Sequence, residues 1–206
     1  MYYPVHSPKW VQWLFPKYLW RVKATAEKKL YLTFDDGPIP VVTPWVLEQL
    51  ASYKAKATFF CVGANIEKNP TIYQQVLDAG HSVGNHTFNH LNGWATPTSD
   101  YLQNVAACQQ KMETTLFRPP YGRLKLSQAK QLQKQYKIVL WDVIAGDFDP
   151  SITGEDCWGN IVKYASNGSV IVLHDSKKSW ERLEFVLPKL LDYYTNLGFG
   201  FEAITG

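Results

Sequence analysis

Two adjacent carboxylates begin the set of residues whose types and spacing could do chemistry. Asp35 and Asp36 directly follow the apolar, β-favouring run Leu30–Phe34, and Gly37-Pro38 breaks the chain after them. Because Asp and Gly are poor strand residues, both acids should lie where a strand stops and a loop begins. Neighbouring carboxylates repel each other, so a positive group, most simply a metal ion, should share the site. Alone, Asp-Gly-Pro is also ordinary turn chemistry, and the interpretation depends on the motifs that follow.

Two histidines four residues apart form the second motif. His86 and His90 follow the strand candidate Ser82–Asn85, and one helical turn of the loop would bring both imidazoles to the same side. Neutral imidazole is a good zinc ligand, and Asp36 would complete a set of two His and one Asp. Three protein ligands leave one coordination position open for water, which is typical of a catalytic metal site. His81, at the opposite end of that strand, is interpreted as a structural histidine.

The third motif combines a cation with a proline turn in the segment Arg118-Pro119-Pro120-Tyr121. Two prolines fix an extended backbone and remove two N–H donors, which makes the amide of Tyr121 a candidate to point into the site. Arg118 stands at a strand end, where it could keep a carboxylate ionised and oriented. An ordinary surface arginine beside a proline turn is the alternative.

Further acids and a histidine follow in the last third of the chain. Asp142 lies inside an apolar run, where a charge is costly without a partner. Asp147 falls in the loop that follows, where solvated turn acids are usual. His174 ends the apolar run Ile171–Leu173, as Asp35 ends an earlier one, and an imidazole there can donate a proton near neutral pH. A hydrogen-bonded core histidine is the alternative.

Strand-like and helix-like segments alternate from Leu30 onward, and these elements must position the motifs. The strand candidates are Leu30–Phe34, Ala57–Val62, Ser82–Asn85, Leu116–Arg118, Ile138–Val143, Ser169–Leu173 and Gly198–Ala203. The helix candidates are Pro44–Tyr53 behind a Thr43 cap, Pro70–Ala79, Ser99–Glu113, Ser127–Tyr136, Gly154–Ser166 and Glu181–Thr195. Such alternation predicts an α/β fold with parallel strands, and about seven units favour a distorted (β/α) barrel over an open sheet. The reactive residues should then gather at the carboxyl ends of the strands.

Residues 1–29 differ from the rest because aromatic and basic side chains alternate there. Ser7 is expected to cap a short helix with Pro8 at its first position, and Pro16 should end it. We expect this segment to cover an open end of the domain formed by residues 30–206. A weak contact with a membrane surface through residues 1–24 is the alternative.

Composition excludes several classes of protein. A hydrophobic content of 46% and a charged content of 19% describe a folded chain, and a net charge of +3 gives no argument for nucleic acid. Cys61, Cys108 and Cys157 have no metal-binding spacing, so we expect buried free thiols. No apolar stretch is long enough to span a membrane, and the start shows no signal-peptide pattern. A cytoplasmic or membrane-peripheral location is therefore expected. The sequence does not indicate the oligomeric state.

Four motifs occur together and in order: Thr33–Gly37, His86–His90, Arg118–Tyr121 and Leu173-His174. This set resembles the polysaccharide deacetylase family, that is, carbohydrate esterase family 4 with its nodulation-protein-B homology domain. The resemblance covers roughly Leu30 to the C-terminus. It implies a distorted barrel of polysaccharide-deacetylase type and removal of acetyl groups from acetylated sugars with a divalent metal, usually zinc.

The resemblance also implies a role for each matching residue. Asp35 resembles the general base and His174 the general acid, while Asp36, His86 and His90 resemble the metal ligands. Arg118 resembles the arginine that orients the base. Tyr121 would turn its backbone N–H to the oxyanion, and Leu173 would form part of the pocket for the acetyl methyl group. Further substrate contacts are assigned to Pro120, Trp141 and Asp147.

One motif departs from the family pattern. The family usually has Asp-x-x-Asp-Trp, whereas alignment on Asp147 places Ile144 at the first position and Phe148 at the last. Asp142 lies two residues before Ile144 and would share its face if the strand continued. We therefore expect Asp142 to be the carboxylate partner of His174.

These observations predict a metal-dependent hydrolase that removes acetyl groups from N-acetylated amino sugars of a glycan or glycoconjugate. Three alternatives remain open: an esterase for O-acetyl groups such as those of xylan, an N-deacylase of a lipid-linked sugar, and a catalytically silent sugar-binding module.

Overall fold

A computed structural model describes residues 3–206 as strands and helices that alternate along most of the chain. The strands are β1 Lys29–Asp35, β2 Ala57–Cys61, β3 Ser82–Asn85, β4 Leu116–Phe117, β5 Lys137–Ile138, β6 Val143–Ile144, β7 Val170–His174 and β8 Gly200–Phe201. The helices are α1 Lys9–Leu14, α2 Val42–Ser52, α3 Gly63–Lys68, α4 Pro70–Asp78, α5 Thr98–Gln109, α6 Leu126–Leu132, α7 Gly154–Tyr164 and α8 Trp180–Asn196. A single 3-10 turn spans Pro120–Gly122.

The strands form one curled sheet in the order β5-β4-β3-β2-β1-β7-β6, and β8 pairs with the start of β1. Every pairing between these strands is parallel, so their carboxyl ends lie at one edge. Asp35 at the end of β1 is in register with His174 at the end of β7. The predicted distorted barrel of about seven parallel strands is confirmed.

Successive side chains of β1 point alternately to the outer core and to the interior of the barrel. Leu32 and Phe34 belong to the large core cluster that packs the sheet against α2, α7 and α8. Thr33 and Asp35 point to the other face, where Arg118 contacts both side chains. Because side chains alternate in a strand, apolar residues anchor β1 on its outer face while its inner face carries polar groups to the carboxyl edge.

The predicted strand Ile138–Val143 is wrong because the chain forms two strands there, on opposite ends of the sheet. β5 pairs with β4, whereas β6 pairs with β7. The apolar run continues across the break because residues on both sides are buried, so hydrophobicity alone did not reveal the crossing.

Helix α3 was not predicted from the sequence, yet it holds both loops that carry the candidate metal ligands. Its first amides, those of Gly63 and Ala64, donate to the carbonyls of Thr87 and Phe88 at 3.0 and 2.9 Å. No helix within residues 3–206 combines the length and apolar character needed to cross a bilayer.

The N-terminal segment lies across the gap between β5 and β6. Leu19 forms a parallel bridge with Val139, and His6 forms an antiparallel bridge with Val143. As predicted, α1 stops before Pro16, but the Ser7 cap is wrong, because the Ser7 hydroxyl donates instead to the Trp141 carbonyl at 2.6 Å. Residues 1 and 2 of the predicted segment lie outside the described residues.

Candidate active site

Asp36, His86 and His90 meet at the carboxyl edge of the sheet. Asp36 directly follows β1 with a positive φ of 85°, and His86 directly follows β3. One ligand atom from each residue lies within 4.8 Å of the others, and Asp36 Oδ1 is 3.1 Å from His90 Nε2. The geometry therefore brings together the three residues that were predicted to bind a metal.

The burial and charge of the Asp36 carboxylate suit the binding of a divalent cation. Asp36 Oδ1 is buried and accepts no properly directed hydrogen bond from residues 3–206. Burial raises the pKa of this carboxyl, but the contact with His90 and the charges of His174, His86 and His90 lower it by more. The net effect is a pKa below the usual value, so the group is ionised. An ionised, buried oxygen without a hydrogen bond fits a metal ligand.

His86 is prepared as a neutral ligand. Its Nδ1 lies 2.8 Å from the carbonyl of Arg118, which can only accept, so Nδ1 carries the proton and Nε2 keeps a free lone pair. Burial lowers the pKa of His86 to about 4, and this effect outweighs the opposing charges of Asp35 and Asp36. The ring therefore stays uncharged at neutral pH.

Asp35 forms a buried ion pair with Arg118. The guanidinium donates to Asp35 Oδ1 and to the Thr33 hydroxyl, both at 2.7 Å. Two backbone carbonyls, those of Val139 and Leu140, accept the remaining directed bonds at 3.2 and 3.0 Å. Fully buried Arg118 is thus locked in place, and it leaves Asp35 Oδ2 free to face the site.

His174 binds the buried carboxylate of Asp147. His174 Nδ1 lies 2.8 Å from Asp147 Oδ1, and the His174 amide donates to Oδ2 at 2.7 Å. Burial lowers the pKa of His174, but Asp147 raises it more through charge and hydrogen bonding, with smaller contributions from Asp36 and Asp35, to about 9. Arg182 donates to the Asp147 carbonyl at 2.7 Å and holds this loop.

The prediction that Asp142 is the carboxylate partner of His174 is therefore wrong, because Asp147 is that partner. Asp147 itself was predicted to contact substrate, but it is buried against His174. Asp142 lies in the crossing between β5 and β6, so it does not share a strand face with the site. Its carboxylate accepts bonds from Arg21 and, at 2.7 Å, from Ser169. Asp142 thus fastens the N-terminal segment to the sheet.

The turn after β4 leaves the Tyr121 amide without a hydrogen-bond acceptor among the described residues, and its contact with the oxyanion stays a prediction. Tyr121 has a positive φ of 61°, and its N–H donates to no group within residues 3–206. Its ring is exposed and lies 4.7 Å from the His90 ring. Trp141 supports this turn, because a Cβ built on Gly122 would approach the indole to 2.7 Å. Pro120 is buried under the turn, and its contact with substrate stays a prediction.

Leu173 does not line the site, and that prediction is wrong. Leu173 is in register with Phe34 and belongs to the same outer core cluster, whereas His174 points inward with Asp35. Alternation places Val172, two residues before His174, on the catalytic face. Sequence reasoning could have found this from the period of two alone.

The comparisons with known proteins agree with this geometry. A family model described as Polysaccharide deacetylase matches residues 22–141. The chain belongs to the polysaccharide deacetylase family. Members of this family depend on a metal ion. In this polysaccharide deacetylase, Asp36, His86 and His90 could hold such an ion.

Several named relatives of this polysaccharide deacetylase are peptidoglycan deacetylases. A peptidoglycan-N-acetylglucosamine deacetylase of Bacillus cereus is 37% identical, over 87% of this chain and 87% of that protein. The peptidoglycan-N-acetylmuramic acid deacetylase PdaC of Bacillus subtilis is 30% identical over 87% of this chain, which spans only 38% of that longer protein. The crystal structure of the Bc1960 peptidoglycan N-acetylglucosamine deacetylase, in complex with 4-naphthalen-1-yl-N-oxidanyl-benzamide, matches with a TM-score of 0.86 and 27% identity. That match covers 96% of this chain and 95% of that chain.

Two residues of the deacetylase site were missed from the sequence. Buried Asp175 accepts from the Gly37 amide at 3.0 Å and from the Thr43 hydroxyl at 2.6 Å, and so ties the end of β7 to the loop that carries Asp36. A Cβ built on Gly37 would approach Asp175 Oδ2 to 1.9 Å, so this contact requires glycine. Thr43 was expected to be a helix cap, but it holds Asp175. The available signal was a second acid directly after a strand-ending residue, as in Asp35-Asp36.

The remaining two histidines have structural surroundings. His81 Nδ1 accepts from the Ala57 amide at 3.2 Å, which confirms the prediction of a structural histidine. Burial lowers the pKa of His81 to about 4. His6, which received no predicted role, lies 3.2 Å from Asp142 Oδ1. Cys61, Cys108 and Cys157 are buried free thiols, as expected.

Proposed function

We propose that this chain is a zinc-dependent deacetylase that removes the acetyl group from N-acetylated amino sugars of peptidoglycan or of related N-acetylglucosamine oligomers. The general reaction follows from the family, and the relatives' substrates support the choice of glycan. Two imidazoles and one carboxylate support zinc, because nitrogen-rich sites with three protein ligands are typical of catalytic zinc.

One observation carries the proposal. The Asp36, His86 and His90 cluster lies at the same sheet edge as two independently oriented proton-transfer groups, the Asp35–Arg118 and His174–Asp147 pairs. Asp35 and His174 end neighbouring strands in register, so the proposed base and the proposed acid are neighbours at this edge. Hydrolysis of an amide needs both groups, because water must lose a proton and the amine must gain one.

Asp35 is suited to take the proton from the attacking water. Its Oδ1 is occupied by Arg118, which fixes the carboxylate plane, while Oδ2 remains available. The guanidinium of Arg118 also balances the charge of this buried carboxylate. The free Tyr121 amide then offers a hydrogen-bond donor to the oxygen of the acetyl carbonyl as negative charge develops on it.

His174 is suited to give a proton to the departing amine. Burial lowers the pKa of His174, but Asp147 outweighs this effect and raises the pKa to about 9. The imidazolium is therefore populated at neutral pH. An amine leaves poorly unless it is protonated, whereas the alcohol of an ester leaves more readily. Loss of His174 should therefore slow amide cleavage more than ester cleavage.

Zinc held by Asp36, His86 and His90 would supply Lewis acidity, which polarises a carbonyl group and lowers the pKa of water. Helix α3 holds both loops that carry these residues. Asn65 of α3 donates to the Asp36 carbonyl at 2.7 Å, and the first amides of α3 hold the loop between His86 and His90.

The experiment that tests this function measures acetate release from three substrates: N-acetylglucosamine oligomers, peptidoglycan fragments and acetylated xylan. We expect release from the first two at rates well above that from xylan. Greater activity on xylan would reject the amide assignment in favour of the O-acetyl esterase, and no release from any substrate would support the silent binding module.

His174→Ala provides the matched test of the acid role. We expect amide hydrolysis to fall by about 10²–10⁴-fold, the usual contribution of a general acid, and hydrolysis of an acetyl ester to fall much less. Equal losses on both substrates would show that His174 does not protonate the leaving group.

A further inference from the structure

Helix α1 presents an apolar stripe to solvent. Trp10, Trp13 and Leu14 follow the helical spacing of three and four residues, and their side chains are 65%, 80% and 54% exposed. No residue of α1 is buried. A helix normally turns its apolar stripe to the core, so this arrangement places the stripe where a partner can contact it.

The stripe is presented by a fixed segment. Before α1, the Ser7 amide donates to the Asp142 carbonyl at 2.9 Å. After α1, Leu19 donates to Ile138 at 2.8 Å, and the Trp20 indole donates to the Phe15 carbonyl at 3.1 Å. Hydrogen bonds therefore hold the chain on both sides of α1, so the tryptophan rings are not exposed because the helix frays.

Cationic residues surround this stripe without acidic neighbours in the sequence. Residues 3–26 contain four Lys or Arg and no Asp or Glu, and residues 114–141 contain six and none. The whole chain has 21 basic and 18 acidic residues, so acids are concentrated elsewhere. Arg21 and Arg118 pair with Asp142 and Asp35, but within residues 3–206 none of the other eight forms an ion pair.

The two acid-free stretches meet in space. Residues 14–18 and α6 line a shared groove of about 380 Å³, where Lys17 and Lys130 flank Leu14 and Leu126. Leu126 is 73% exposed and adds to the apolar surface. We call the surface formed by these side chains the α1–α6 face; it comprises Lys9, Trp10, Trp13, Leu14, Lys17, Leu126 and Lys130.

We propose that the α1–α6 face docks on the surface of an anionic lipid bilayer. Tryptophan prefers the interface between headgroups and acyl chains, where its ring is in apolar surroundings and its N–H in polar ones. Lysine is a flexible point charge suited to a diffuse negative surface, and each lysine near such a surface strengthens binding roughly fivefold. A six-residue helix that lies on the surface inserts only its side chains, which gives shallow, reversible attachment.

The shape and charge of the face favour a bilayer over a folded protein partner. The apolar side chains project from a short helix, whereas a protein interface of ordinary size needs a broad complementary patch. The free cations of the face are lysines only, without the arginine forks that typically recognise individual carboxylates or phosphates. This inference does not depend on the acetylated substrate, because it uses no residue of the catalytic edge.

Sedimentation of the full chain with vesicles tests this proposal. Vesicles of phosphatidylcholine alone are compared with vesicles containing phosphatidylglycerol, at low and at physiological salt. We expect binding to the anionic vesicles, little binding to the neutral ones, and weaker binding as salt rises. Trp10→Ser with Trp13→Ser should reduce the partition coefficient at least about tenfold, because both interfacial anchors are lost.

A matched pair of charge variants separates local charge from net charge. Lys9→Glu with Lys17→Glu and Lys68→Glu with Lys163→Glu change the net charge equally, but only the first pair alters the α1–α6 face. We expect the first pair to lose at least about tenfold in partition and the second to bind much as wild type. Four outcomes would overturn the proposal: no wild-type binding at low salt, equal loss in both charge pairs, unchanged binding of the tryptophan variant, or a dimer in analytical ultracentrifugation that only the tryptophan variant abolishes.

Discussion

At the scale of single residues, the site works by dividing the tasks of neighbouring side chains. Asp35 ends β1 in regular strand geometry and turns inward to Arg118, whereas Asp36 adopts a positive φ and turns to the histidines. In the function that we propose, this one dipeptide supplies both the base and a metal ligand. His174 and Asp175 repeat the pattern on β7, where the first residue binds Asp147 and the second binds the Asp36 loop.

The first prediction concerns the pKa of His174. Asp147→Asn removes the main charge that opposes burial, so the pKa of His174 should fall from about 9. Because the proposed acid role of His174 requires the protonated ring, the alkaline limb of the kcat/KM profile should move to lower pH, by about 1–3 pH units. The measurement is the pH dependence of acetate release.

Asp142→Asn is the control for this prediction, since Asp142 lies outside the site and near Arg21. Its alkaline limb should coincide with that of the wild type. An unmoved limb in Asp147→Asn, or a shifted one in Asp142→Asn, would contradict the assignment of the histidine partner.

The second prediction concerns the contact that fixes the Asp36 loop. Thr43→Val keeps the shape of the side chain but leaves Asp175 and the Ile39 amide without the hydroxyl that bonds both. Unfolding should require about 1–3 kcal/mol less free energy, because buried polar groups lose their partner. Zinc affinity, measured by competition with a chromophoric chelator, should fall as well, since the ligand loop is less fixed.

Thr43→Ser retains the hydroxyl and should behave nearly as wild type in both measurements. If Thr43→Val lost stability but kept wild-type zinc affinity, Asp175 would be a structural residue without influence on the metal ligands.

At the scale of elements, the predictable part of the fold was the alternation of buried strands with amphipathic helices. Six strands and seven helices were found near their predicted places, because apolar runs, prolines and glycines mark these positions in the sequence. The break between β5 and β6 could not be predicted, since Val139, Leu140 and Val143 are buried on both sides of it by tertiary contacts. Helix α3 was missed because six residues carry too little periodic signal.

The same break explains which site residues sequence reasoning could place. The rule of carboxyl ends sufficed for five residues that end or directly follow a correctly predicted strand: Asp35, Asp36, His86, Arg118 and His174. His90 lies in the loop after β3, and its spacing from His86 placed it. Asp142 was misplaced because its strand does not continue, and Leu173 because its side chain alternates outward. Asp147 lies in a loop, whose path depends on contacts such as that with Arg182.

The third prediction concerns the attachment of the N-terminal segment. Arg21→Ala leaves buried Asp142 without its cationic partner, so the free energy of unfolding should fall by about 2 kcal/mol, a value that allows for the partial exposure of Arg21. Denaturation in urea measures this loss. The pH profile of acetate release should keep its limbs, because the contact is remote from His174; a shifted limb would contradict the separation of closure from catalysis.

At the scale of the whole molecule, one edge of the curled sheet carries the chemistry, while the N-terminal segment closes the gap between its ends. Residues distant in sequence meet at the edge because parallel strands bring their carboxyl ends together. Charge is also segregated: carboxylates gather at the catalytic edge and in the helices, and the lysines of the α1–α6 face form no ion pair within residues 3–206. The N-terminal segment that closes the gap, and that we propose to contact a bilayer, is thus separate from the catalytic edge.

A zinc titration of the chelator-stripped chain tests the central claim most directly, with acetate release from an N-acetylglucosamine oligomer followed at each addition. The stripped chain should be inactive, and activity should rise to a plateau near about one zinc per chain, as expected for one site with three protein ligands. His86→Ala should show no rise over the same range. Full activity in the stripped chain, or a plateau reached equally by His86→Ala, would contradict the account.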